Sequence, residues 1–161
     1  MTSTQLMRPM LAAALLAATA LAGVAHAQDE ENMDPAVKAR HAHMQLYAFN
    51  LGKLGAMAKG EAEYDAEVAT NAAANLAQLT QLNQATYWVE GTSSDDMEGS
   101  KAKPELFQNM DDYMSLTEDL HQAAMSMETA AGESAEAIGA QMGALGGACG
   151  ACHKKYRVSD D

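Results

Sequence analysis

From residue 34 onward the apolar positions of this chain recur at spacings of three and four, with polar residues between them. Such a repeat follows the 3.6-residue turn of an α-helix and not the alternation of a strand. Asp34-Pro35 supplies a capping carboxylate and a proline for a first turn. Arg40, Met44, Tyr47, Ala48, Leu51, Leu54 and Ala58 then share one face, and the pattern predicts a helix over 34–59 that ends at Gly60. A second helix, over 65–88, carries Val68, Ala72, Leu76 and Leu79 inward and runs to Tyr87-Trp88, with Trp88 as a cap on the core. Pro104 opens a third, over 104–131, with the stripe Leu106, Met110, Tyr113, Thr117, Leu120, Ala124 and Met127. The fourth, over 134–157, places Ile138, Met142, Leu145, Cys149, Cys152 and Tyr156 at spacings of 4, 3, 4, 3 and 4. That alternation is the seam of a helix packed in a bundle. The fold predicted is all-α, an antiparallel four-helix bundle.

Two stretches fall outside the pattern. Residues 91–103, with Thr92-Ser93-Ser94-Asp95-Asp96, have no apolar periodicity and predict a surface loop. Residues 1–27 read as a secretory signal: Arg8, an alanine- and leucine-rich run to about Val24, and an A-x-A cleavage site at Ala25-His26-Ala27. The run is short for a membrane span. Cleavage after Ala27 leaves residues 28–161 as one domain, exported and without membrane insertion. Composition adds a constraint on partners. The formal charge is −12, and −13 once Arg8 is removed, so nucleic acid and anionic lipid are repelled. Asp111, Asp112, Glu118 and Asp119 read as a solvated face.

The chemistry sits at Cys149-Gly150-Ala151-Cys152-His153. C-x-x-C-H is the attachment signature of c-type haem. Residues three apart share a helical face, so two sulfurs can reach the two vinyl groups of one porphyrin while His153 offers a nitrogen to the iron. Other readings explain less. A thioredoxin-like C-x-x-C needs a strand context that is absent here, and a structural zinc site needs more ligands than two cysteines supply. A plain disulfide leaves the adjacent histidine without a role. Five glycines share this helix, Gly139, Gly143, Gly146, Gly147 and Gly150, at about 1 kcal/mol each in helix propensity. They suit either tight helix packing or, near Gly146 and Gly150, room for the macrocycle.

Four helices with C-x-x-C-H near the C-terminus resemble the cytochrome c′ class, including its low-spin methionine-ligated relatives. Cys149 to Arg157 follows that family's C-x-x-C-H-x-x-[YF]-R ending, and Val37 to Met44 is similar to its first-helix segment. Lys59-Gly60-Glu61, Tyr64-Asp65-Ala66 and Ala102 to Phe107 resemble its connections. The resemblance implies one haem c attached through Cys149 and Cys152, with His153 as the proximal iron ligand. It puts Met44 on the opposite face as a candidate sixth ligand, where low-spin relatives carry a ligating methionine and high-spin members an apolar residue or a methionine that does not bind. The resemblance puts Arg157 near the proximal side and Arg40 beside a haem propionate, which needs a charged donor. It also implies periplasmic location, redox partner proteins and pairing of copies through the first two helices.

Three functions fit a haem so held. Electron transfer needs an iron that changes oxidation state with little movement. Gas binding needs an open sixth position for nitric oxide or carbon monoxide. Peroxidase chemistry needs a polar distal group, whereas the expected distal lining of Met44, Tyr47 and Ala48 is mostly apolar. His41, His43 and His121 read as solvated or subunit-interface residues. No catalytic dyad or triad is evident, so the sequence predicts an electron carrier and not an enzyme.

Overall fold

A computed structural model describes residues 33–159, so the signal sequence expected over 1–27 lies outside the described residues. The first helix, α1, spans Pro35–Ala58. Asp34 caps it by accepting from the backbone N–H groups of Ala36 (2.8 Å) and Val37 (3.4 Å). Two donors that a helix start leaves unmet are thereby satisfied. Gly60, at φ 72°, then reverses the chain in the left-handed region that favours glycine. The second helix, α2, spans Ala66–Thr80, and Asp65 caps it in the same way at 2.9 and 3.0 Å.

The expected run of α2 to Trp88 does not occur. At Thr80 the side-chain hydroxyl bonds the carbonyl of Ala77 (2.6 Å) and lies 2.8 Å from His121 Nδ1. Asn83 then closes a turn by accepting from the N–H of Ala85 (3.0 Å). Short polar side chains of this kind offer the backbone alternatives to the helical ladder. The chain leaves the helix and carries Trp88 across the bundle's end.

The third predicted helix is divided. A short α3, Pro104–Gln108, stops at Asn109, whose amide reaches back to the carbonyl of Glu105 (2.7 Å). The long α4 follows over Met110–Ala131. The last helix, α5, spans Ala135–Tyr156 with Ser134 capping Ala137 N–H at 3.1 Å. Helices α1, α2, α4 and α5 close a ring of contacts, α1 on α2, α2 on α4, α4 on α5 and α5 on α1. The short links 59–65 and 132–134 make their flanking helices antiparallel neighbours. No described helix is long and apolar enough to cross a membrane.

Inside the ring lies the main core, built on Leu54, Met57, Leu76, Met127, Ile138 and Leu145, with buried alanines along α2. Of the inner face expected for α2, Ala72, Leu76 and Leu79 are buried and Val68 is exposed, and Ala69, Ala73 and Ala77 widen the buried face. At one end a second cluster joins Leu106, Tyr113 and Tyr156 to Trp88, Phe107 and Cys152. Residues 91–103 are more than a surface loop, because Thr92, Ser93 and Ser100 are buried within it. An antiparallel bridge, Ala102 with Arg157, fixes its end to the exit of α5: Lys103 N–H donates to Tyr156 O and Val158 N–H to Lys101 O, both at 2.9 Å.

Candidate functional site

That bridge forms one rim of a cleft of about 290 Å³. Arg40, His41 and Met44 of α1 line one wall, and Cys152, His153, Tyr156 and Arg157 at the end of α5 line another. Trp88, Leu106 and Tyr113 close it below the rim. Five of the six residues singled out in the sequence therefore meet in one cavity. Cys149, one turn before Cys152, faces an adjoining gap of about 10 Å³ beside Tyr47, Leu51 and Leu145. The two cysteines are half-buried and form no disulfide with each other. Burial pushes both thiols up, Cys152 to about 11 with smaller contributions from Cys149 and Asp112, in contrast to the exposed thiolates of redox motifs.

Arg40 is 5% exposed, so it is not an edge residue with its stem along the surface. Its guanidinium donates to Thr92 Oγ1 (3.2 Å) and to the carbonyl of Thr92 (2.8 Å), and Ser100 Oγ donates to that same carbonyl (2.8 Å). Its Cζ lies 5.1 Å from the ring centre of Trp88 and 5.8 Å from that of Phe107. Burial lowers its pKa, while Asp34 and then Tyr113 act to raise it. Arginine carries five donors, and the two used on Thr92 leave others for the cleft. Met44 is 38% exposed, and its exposed part faces the cavity. His153 is also exposed there. Burial against the cleft, and then Arg157, hold its pKa below the ordinary histidine range, which leaves the imidazole neutral with a lone pair to offer.

The histidines depart from expectation. His41 lines the cleft beside Met44, so the wall is more polar than the expected Met44, Tyr47 and Ala48; Gln45 joins it and Tyr47 faces the gap by Cys149. His43 is 3% exposed, wedged edge-on between Tyr47 and Tyr87, and its Nε2 has no partner. His121 is tied to Thr80 and to Gln81 (3.1 Å). None of these roles has a signature in the sequence, because each depends on which neighbour the fold supplies. The glycines of α5 are resolved too. A Cβ at Gly139, Gly143, Gly146, Gly147 or Gly150 would meet nothing within 4 Å, so tight helix packing does not explain them. At Gly55 a Cβ would meet Met142 Cε at 3.6 Å, an ordinary van der Waals contact.

The cavity suits a flat, largely apolar group with a negative edge. Among the described residues it is lined by three cations, Arg40, Lys101 and Arg157, and by no carboxylate, in a chain of charge −12. The indole N–H of Trp88 in its wall is buried without a partner. Among the described residues no three histidine, cysteine or carboxylate groups are placed to hold a bare metal ion. Two cysteines and a histidine on the last turns of a bundle helix, opening on such a cleft, define a four-helix-bundle protein that holds haem covalently.

Comparison with known proteins gives the family. Residues 35–157 match the model of cytochrome c′. Cytochrome c-554 of Cereibacter sphaeroides is 39% identical over 154 residues, covering 96% of this chain and all of that protein. A Rhodobacter cytochrome c′ structure superposes with a TM-score of 0.74 at 36% identity, over 77% of this chain and 95% of that one. A cytochrome c′ described as having ligand-controlled dimer dissociation gives 0.67 at 31% identity, over 77% and 95%. The chain belongs to the cytochrome c′ family, and its cofactor is a haem c attached through Cys149 and Cys152.

Proposed function

We propose that this protein is an exported, periplasmic electron carrier in which Met44 and His153 would both ligate the iron of a single haem. One observation supports this above the rest: the two side chains line the same cleft from two neighbouring helices. The haem, when bound, supplies a one-electron iron couple. His153 presents a neutral imidazole, fixed in the last turn of α5 by the two thioether positions before it. Met44 presents a soft thioether, and a histidine–methionine pair raises the potential of a haem. Arg40, held by Thr92 and lining the cleft, would offer its remaining donors to a haem propionate, and Arg157 lies beside His153. Redox partner proteins are the macromolecular partners implied, and the reading is of a carrier and not an enzyme.

A second reading has its own support. Met44 is only partly covered, and His41 beside it could donate to a diatomic ligand at the sixth position, as gas binding of nitric oxide or carbon monoxide requires. The experiment that separates them is an optical and paramagnetic resonance spectrum of the oxidised protein. We expect a low-spin signal with a weak far-red sulfur–iron band, both lost in Met44→Leu. A high-spin spectrum indifferent to Met44→Leu would defeat the carrier reading and favour gas binding. Pairing of copies through α1 and α2 is part of the proposal, because Leu46 and Phe49 stand 50% and 63% exposed on α1.

A further inference from the structure

Asp112, on α4, stays on the solvated face expected of it, its side chain 41% exposed, and it also has partners there. Its carboxylate accepts from the hydroxyl of Tyr156 at 2.5 Å through one oxygen and from Lys155 Nζ at 2.7 Å through the other. Tyr156 is buried, lines the haem cleft, and lies three residues after His153 and four after Cys152 on α5. An O–H···O⁻ bond of this length is charge-assisted and among the stronger kinds. It fixes the tyrosine ring against the cleft while carrying a formal negative charge to the end of its hydroxyl. Lys155 covers the other oxygen from an exposed position, so it balances the charge without removing it from the cleft side.

We propose that Asp112 is a positioning residue for the haem, setting the proximal wall through Tyr156 and lowering the reduction potential by its charge. The geometry is the basis: one residue of α4 holds two consecutive residues of the turn that bears the iron-ligating histidine. A ferric haem carries one more positive charge than a ferrous one, so a nearby carboxylate favours the oxidised form. The inference rests on the bound haem c but not on Met44 as a ligand.

The test is potentiometry of the holoprotein at low and high salt, with thermal melts alongside. Asp112→Asn keeps an acceptor for Tyr156 and removes the charge. We expect its potential to rise, by an amount that shrinks as salt screens the field, with a nearly unchanged melt. Lys155→Met should shift the potential the opposite way, and Asp112→Glu should restore the wild-type value. An unchanged potential in Asp112→Asn would overturn the proposal, whether or not stability fell, since a helix clamp alone predicts only a lower melt. A wild-type spectrum lacking low-spin iron would count against the carrier reading and leave this comparison intact.

Discussion

At the scale of single residues, the cleft is set by polar groups whose partners lie far along the chain. Arg40 meets Thr92, 52 positions away, and Tyr156 meets Asp112, 44 positions away. Helical spacing places Arg40 on the inner side of α1 but does not say what it touches. The removal of a buried donor pair leaves its acceptors short, so Arg40→Leu should cost about 1–3 kcal/mol, measured by urea unfolding of the holoprotein. Because Ser100 still serves the Thr92 carbonyl, the loss should lie towards the lower end of that range. Lysine in place of Arg40 should recover only part of it, since an ammonium cannot span the hydroxyl and the carbonyl as a fork.

At the scale of elements, the starts of α1, α2 and α5 and the end of α1 before Gly60 obey local chemistry, and the end of α2 depends on partners far along the chain. Asp34, Asp65 and Ser134 each cap where the sequence puts a polar residue before an amphipathic run. Asp65→Ala should therefore destabilise the fold by roughly 1 kcal/mol, and Asp34→Ala by a similar amount, additively because the two caps share no partner. Denaturant midpoints of the single and double variants check this. The premature end of α2 at Thr80 is different in kind. There the Thr80 hydroxyl meets His121, 41 positions away, Asn83 turns the chain, and Trp88 packs 4.8 Å from Tyr113 and 6.3 Å from Phe107. Those distant partners decide where the helix stops. They also put the wall of the cleft in place.

At the scale of the whole molecule, a bundle that surrounds a haem cleft needs its cofactor to complete the packing at that end. Cys149→Ala with Cys152→Ala should abolish covalent haem, read as loss of the c-type pyridine haemochrome, and should leave a less cooperative thermal melt. A double variant that melts as sharply as the holoprotein would show that the main core on Leu54, Leu76 and Ile138 suffices alone. The sequence by itself determined the helical class, the cap at Asp34, the inward stripes of α4 and α5, and the pairing of Cys149, Cys152 and His153 on one helix. These follow from short-range rules of spacing and capping, which act within a turn or two. Only the tertiary structure decided where α2 stops, that residues 91–103 bury Thr92 and Ser100 under Arg40, that His41 faces the cleft while His43 is buried, and that Asp112 holds Tyr156. Each of those depends on which distant side chain offers a hydrogen bond or a ring at closer range than water does. No spacing along the chain encodes that choice.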